Sequence, residues 1–199
     1  GIKRKYKELT SKDTQLLLGP RYLLLSPDYL KVKKRTPNKS TNIKRIFIYY
    51  GSVDQSNETG KALEALITMG ISDVVIDVVI GRNNLNKENI KILVSKIKNA
   101  HLHVQLPNLA DIMSKADLAL NAGGYTLWEQ NYLGLPSIVT GVAENKVNPA
   151  IILDKMGCLT WLGLSEKVCT EQIINKLQML FNHPDLLLKQ SKKNMNLVD

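Results

Sequence analysis

Ile46-Phe-Ile-Tyr-Tyr-Gly-Ser-Val-Asp54 decides the reading of this chain, together with its echo in Asp73-Val-Val-Ile-Asp-Val-Val-Ile80. Each is a short apolar, β-branched run, and the stretch between them, 57–69, carries Leu63, Leu66 and Ile67 at helical spacing. A strand, a helix and a second strand in that order form a βαβ unit, the building block of a parallel sheet. Working outward toward the carboxyl end, the alternation repeats. Ile90, Leu93, Val94 and Ile97 mark a helix, 101–105 a strand, 109–115 a short helix and 117–121 a strand. A helix at 126–133, strands at 137–140 and 158–161, and helices at 148–155 and 170–181 complete the series, the last with Ile173, Ile174, Leu177 and Leu180 on one face. The expected fold class is α/β, a Rossmann-like doubly wound parallel sheet occupying residues 43–199, with the chain ending soon after its last helix.

Outward in the other direction the pattern stops. Leu16-Leu-Leu-Gly-Pro20 and Tyr22-Leu-Leu-Leu25 are apolar, but Pro20, Pro27 and Pro37 interrupt any long element. Residues 1–42 therefore read as a linker segment that packs on the domain, with the basic stretch 31–41 as a mobile loop or hinge.

Composition narrows the function classes. With 44% hydrophobic and 23% charged residues over 199 positions, the chain suits one soluble domain. No apolar run approaches the roughly 20 residues of a membrane span, and Gly1-Ile-Lys-Arg-Lys5 is not followed by a signal core. A cytoplasmic protein without a membrane partner is expected. Cys158 and Cys169 lack CxxC spacing and form no zinc pattern with His101, His103 and His183, so neither a metal nor a cofactor is expected. His101 and His103 flank Leu102 and share one strand face as ordinary positions. The net charge of +9 raises nucleic-acid binding. Much of that excess lies in the first 45 residues and aromatic interleaving is absent, so nucleic acid is the lesser reading. A basic balance also suits an anionic small ligand.

In an open parallel sheet ligands bind beyond the carboxyl ends of the strands, which directs attention to three loops. In Tyr50-Gly-Ser-Val-Asp54, Gly51 lets backbone amides approach an anion and Ser52 adds a hydroxyl. The loop is not a GxGxxG fingerprint, and no P-loop motif occurs. Asn121-Ala-Gly-Gly-Tyr-Thr126 feeds a helix, so Gly123 and Gly124 bring unpaired N–H groups and a helix dipole together, as a diphosphate requires. Glu129, in the first turn of that helix, either stabilises the helix end or accepts ribose hydroxyls; Trp128 reads as core. In Gly141-Val-Ala-Glu-Asn-Lys146, Glu144 and Asn145 serve equally well as a helix cap with a solvated charge or as sugar contacts.

The run Ala122-Gly-Gly-Tyr-Thr-Leu-Trp-Glu-Gln-Asn-Tyr-Leu-Gly-Leu-Pro-Ser-Ile-Val139, followed by Ala143-Glu-Asn145, resembles the UDP-sugar hydrolase of the pseudaminic acid pathway and its spore-coat polysaccharide relatives. Tyr6-Lys-Glu-Leu9, Leu18-Gly-Pro-Arg-Tyr22, Pro27-Asp-Tyr-Leu30, Gly51-Ser-Val-Asp54 and Lys61-Ala-Leu-Glu-Ala-Leu66 extend the resemblance over nearly the whole chain. It implies the carboxy-terminal, nucleotide-binding domain of a GT-B architecture, with UDP or a UDP-sugar as ligand. On that resemblance Gly123, Gly124, Tyr125 and Thr126 surround the diphosphate and Glu129 holds the ribose. Backbone near Leu106 to Asn108 meets uracil, Glu144 and Asn145 lie near the sugar, and Gly51 and Ser52 close the phosphate side. The family's first loop commonly has Gly-Gly-Ser, whereas Tyr50 stands here in place of the first glycine, either crowding the cleft or facing inward. The family's catalytic histidine belongs to an amino-terminal domain, so no catalytic residue is assigned in this chain and the missing domain is an expected partner. The implied reaction is hydrolysis of a UDP-linked diacetamido trideoxy sugar. The donor domain of a GT-B glycosyltransferase and a non-catalytic nucleotide-sugar-binding module are the alternatives.

Overall fold

A computed structural model describes residues 6, 9–11, 13–35, 42–143 and 147–198. Six parallel strands form one sheet: β1 (Arg45–Tyr49), β2 (Val75–Ile80), β3 (Ala100–Val104), β4 (Leu118–Asn121), β5 (Ser137–Gly141) and β6 (Thr160–Leu164). They lie in the order β3-β2-β1-β4-β5-β6, so the winding reverses between β1 and β4. That is the doubly wound Rossmann order, with its crevice at the reversal.

Side chains alternate faithfully across the sheet. Ile46, Ile48 and Tyr50 join Ile76, Val78, Leu118 and Leu120 in a core on one face, under α2 (Glu58–Thr68), α3 (Lys87–Ser95) and α7 (Thr170–Asn182). Phe47 and Val79 point the other way, onto α1 (Pro27–Arg35), α4 (Ala110–Lys115) and α5 (Thr126–Leu133). Burial on both faces is why the strands read as nearly unbroken apolar runs. On the carboxyl side Leu127 and Val139 pack with α6 (Val147–Lys155).

Three sequence expectations shift. The last strand begins two residues later and ends three residues later than 158–161, because Cys158 and Leu159 are buried in the turn leaving α6 and pairing begins at Thr160. Pro27 opens a helix where a breaker was expected: proline lacks only an N–H that the first turn leaves unpaired anyway. Ser26 Oγ accepts the Asp28 N–H at 3.4 Å, and Tyr29 and Val32, one turn apart, are buried. Residues 31–35 of the supposed hinge thus belong to α1, while 36–41 lie outside the described residues.

The third change is a further helix, α8 (Pro184–Val198), hidden in the sequence by its lysine-rich surface. It packs on α5, and polar groups fix it there. Gln190 Oε1 accepts the Ser137 N–H at 2.8 Å and Asn194 Nδ2 donates to the Leu135 carbonyl at 3.1 Å. Both bonds satisfy backbone in the Leu135-Pro-Ser137 entry to β5, where the Pro136 carbonyl accepts the Ala119 N–H at 2.9 Å. Gln190→Ala should cost about 1–3 kcal/mol by orphaning a buried amide, read as a lower denaturant midpoint at unchanged slope. Among the described residues no helix is long and apolar enough to cross a membrane.

Candidate functional site

The carboxyl ends of β1, β2 and β3 open into a cavity of about 360 Å³ on the face that carries α1 and α5. Ser52, Leu106, Asn108 and Glu129, four of the residues expected at a nucleotide site, line it together. Tyr29, Tyr49, Gly81 and Gln105 line it as well, without having been singled out from sequence. Tyr29 had a signal: Ser26-Pro-Asp28 is a helix start, and Tyr29 and Val32 sit on one face of it.

Burial raises the Glu129 carboxyl from its ordinary value, partly offset by the neighbouring Tyr29 hydroxyl. Burial, with the Glu129 charge next in weight, likewise raises Tyr29. Tyr49 is raised by burial and then by the same carboxylate. Glu129 is therefore a half-buried acceptor between two phenols, facing a cavity.

The loops around it are shaped to approach one another. A Cβ on Gly81 would stand 2.3 Å from the Ser52 carbonyl oxygen, so the ends of β1 and β2 meet closely only because residue 81 has no side chain. Gln105 holds a left-handed backbone (φ 58°), uncommon for a non-glycine residue, with its Oε1 accepting the Arg82 N–H at 3.3 Å. Asn108 caps α4 by accepting the Ala110 N–H at 3.1 Å and donates to Asp28 at 3.3 Å, tying α1 to the cavity wall.

Gly51, Gly123 and Gly124 all have positive φ, at 98°, 73° and 94°. The glycine pair leads into α5, and Asn121 Oδ1 holds the turn by accepting the Gly123 N–H at 2.9 Å. The described cavity lining has two carboxylates, Asp28 and Glu129, and neither Lys nor Arg, which suits an uncharged base and ribose better than phosphates.

The structure does not bring every expected residue to that cavity. Tyr125 is turned outward, its hydroxyl donating to the Leu24 carbonyl, and it lines an apolar groove with Pro20, Tyr22 and Trp128. Trp128 is only partly buried. Thr126 opens α5 beneath the glycine turn. Glu144 and Asn145 lie outside the described residues. Tyr50 faces inward, 3% exposed.

The first loop is braced by Asp54. Its two carboxylate oxygens accept the Glu58 and Thr59 N–H groups, each at 2.9 Å, at the start of α2. Asp54→Ala should cost about 1–2 kcal/mol, the worth of a helix cap, as a fall in melting temperature.

No protein-family model matches the chain. It is 34% identical over 141 residues to an uncharacterized protein of Methanocaldococcus jannaschii, covering 68% of this chain and 29% of that protein. It is 27% identical over 188 residues to the spore coat polysaccharide biosynthesis protein SpsG of Bacillus subtilis, covering 94% of this chain and 55% of that one. The chain thus spans little more than half the length of SpsG and less than a third of the archaeal protein. Among solved structures it resembles MurG of Acinetobacter baumannii, with a TM-score of 0.63 at 16% identity over 96% of this chain and 54% of that one. It also resembles a UDP-GlcNAc 2-epimerase from Neisseria meningitidis bound to UDP-GlcNAc, with a TM-score of 0.61 at 18% identity over 84% of this chain and 45% of that one. At these identities the likeness establishes the fold alone, a Rossmann-like α/β sheet.

Proposed function

We propose that this chain is a nucleotide-sugar-binding domain that grips UDP, with base and ribose in the cavity below β1 to β3 and the diphosphate at the glycine turns. The observation that carries the reading is the half-buried Glu129 carboxylate facing a cavity at the switch point of the sheet. A carboxylate left there with spare acceptor capacity suits a ligand that offers hydroxyl donors, and a ribose offers two adjacent ones. Resemblance to SpsG, named for polysaccharide biosynthesis, and to a structure bound to UDP-GlcNAc supports a nucleotide sugar as the ligand class.

In this reading Gly51, Ser52, Gly123, Gly124 and Thr126 frame the diphosphate and Leu106 to Asn108 meet the base edge. The reaction served is hydrolysis of the glycosidic C–O bond of a UDP-linked diacetamido trideoxy sugar: water adds to the sugar and UDP leaves. This chain supplies binding, orientation and amides that stabilise charge on the departing UDP, while a second domain supplies the general base. Donor binding for a glycosyl transfer is the second reading, favoured by the GT-B glycosyltransferase fold itself. Calorimetric titration with UDP, with UMP and ADP as competitors, tests the ligand class. UDP should bind more tightly than UMP or ADP, and no UDP-sugar turnover should accompany binding. ADP binding as well as UDP would remove the assignment of the base pocket, and turnover by this chain alone would remove the two-domain division of labour.

A further inference from the structure

The apolar groove at the start of α5 has a volume of about 430 Å³ and is lined by Pro20, Tyr22, Leu23, Leu24, Tyr125 and Trp128, with no charged side chain among its described walls. Tyr22, Leu24 and Tyr125 are each more than half exposed. So much apolar surface in one place marks a binding groove. Its two α5-side rings are held in position. The Tyr125 hydroxyl donates to the Leu24 carbonyl, and Trp128 packs against the cluster that holds Leu127, Val139 and Leu153. Among the described residues none of the three rings, Tyr22, Tyr125 and Trp128, stacks on another aromatic ring.

Rings that are fixed, accessible and unstacked suit an uncharged ligand group. An aromatic face is electron-rich and attracts polarised C–H groups. The C–H face of a sugar ring presents them, as do the methyl groups of acetamido and deoxy sugars. A phosphate finds no cation in this lining. Position selects the source of the ligand group. Tyr125 directly follows Gly124 of the glycine turn, and Trp128 directly precedes Glu129, which lines the first cavity. A nucleotide with its diphosphate at that turn therefore has its next group beside Tyr125.

We propose that this groove is the glycosyl subsite of the nucleotide-sugar site, where Tyr22, Tyr125 and Trp128 select a sugar with acetamido or deoxy positions over a fully hydroxylated one. The proposal rests on the nucleotide-sugar reading above and adds to it the surface that discriminates sugar from free nucleotide.

The test is calorimetry of UDP, UDP-glucose and UDP-N-acetylglucosamine on the 199-residue chain and on its Tyr22→Ala and Trp128→Leu variants, with thermal melts to verify folding. UDP-N-acetylglucosamine should bind more tightly than either UDP-glucose or UDP. Tyr22→Ala should remove about three- to tenfold of that advantage, the range for one aromatic contact, with UDP affinity unchanged. Trp128→Leu should act in the same direction. Tyr22 is half exposed and its ring unstacked, so the melting temperature of Tyr22→Ala should not fall. Trp128 is also a reporter. In Trp161→Phe it is the one tryptophan left of two, and UDP-N-acetylglucosamine should shift its emission while UDP should not. Equal binding of UDP and UDP-N-acetylglucosamine, an advantage that survives both variants, an equal loss for UDP itself, or an emission that does not move overturns the groove assignment and leaves the nucleotide site standing. UDP-glucose binding as tightly as UDP-N-acetylglucosamine overturns the selectivity. Failure of all three to bind overturns both the groove and the nucleotide site.

Discussion

Glu129→Ala should weaken UDP binding roughly 10- to 100-fold, the range for hydrogen bonds to a charged group, while Glu129→Gln raises the melting temperature at neutral pH. The two expectations share one cause. Burial raises the Glu129 carboxyl in the folded chain, so folding favours its protonated form. The stability that such a group contributes is fully present below its unfolded pKa and is lost as pH rises through the folded one. At pH 7 the ionised carboxylate is thus a cost, and a neutral Gln removes it. The advantage of Glu129→Gln should shrink as pH falls into the carboxylate range. A helix-end role alone predicts the reverse, because an acidic residue in the first turn stabilises the helix dipole and its neutralisation lowers the melting temperature. The ribose contact adds a ligand-side control: 2′-deoxy-UDP should bind more weakly than UDP to the unaltered chain and equally to Glu129→Ala. Persistence of that difference in the variant would move the ribose away from Glu129.

The largest loss of stability is expected from Arg45→Met. Asp77 lies in the middle of β2 with its side chain 4% exposed, held by Arg45 Nη1 at 2.5 Å and by His103 Nε2 at 3.0 Å. Removing Arg45 leaves a buried carboxylate with the imidazole alone, at a cost of about 3–5 kcal/mol. The double change Arg45→Met with Asp77→Leu should recover most of that loss, since apolar replacement of both partners removes the desolvation penalty together with the attraction. Urea denaturation of the three chains measures this, and additive losses would show that the pair is not coupled. His103 therefore has a specific partner across the β2 and β3 pairing, where the sequence reading treated both strand histidines as ordinary positions.

That difference shows where sequence reasoning stops. The glycine pair and Glu129 were legible as a helix entry with an anion-binding character because a strand, two glycines and a helix are contiguous. The cavity was not, since Tyr29 reaches Glu129 only after α1 docks on α5. Tyr50 carried an ambiguity, inward or cleft-crowding, that strand alternation settles: Ile46, Ile48 and Tyr50 share one face, so its ring enters the core.

Local chemistry thus determined the class of the protein. Apolar β-branched runs alternating with amphipathic stretches admit little but a parallel α/β sheet, and glycine marked the turns that follow the strands. Tertiary structure decided the rest: the reversal between β1 and β4, the helix at 184–198 that completes β5 through Gln190 and Asn194, and the assembly of Ser52, Asn108 and Glu129 around one cavity. Those outcomes depend on which strands pair and which helix faces meet. Such contacts join residues far apart in sequence, and the periodicity of any one segment carries no record of them.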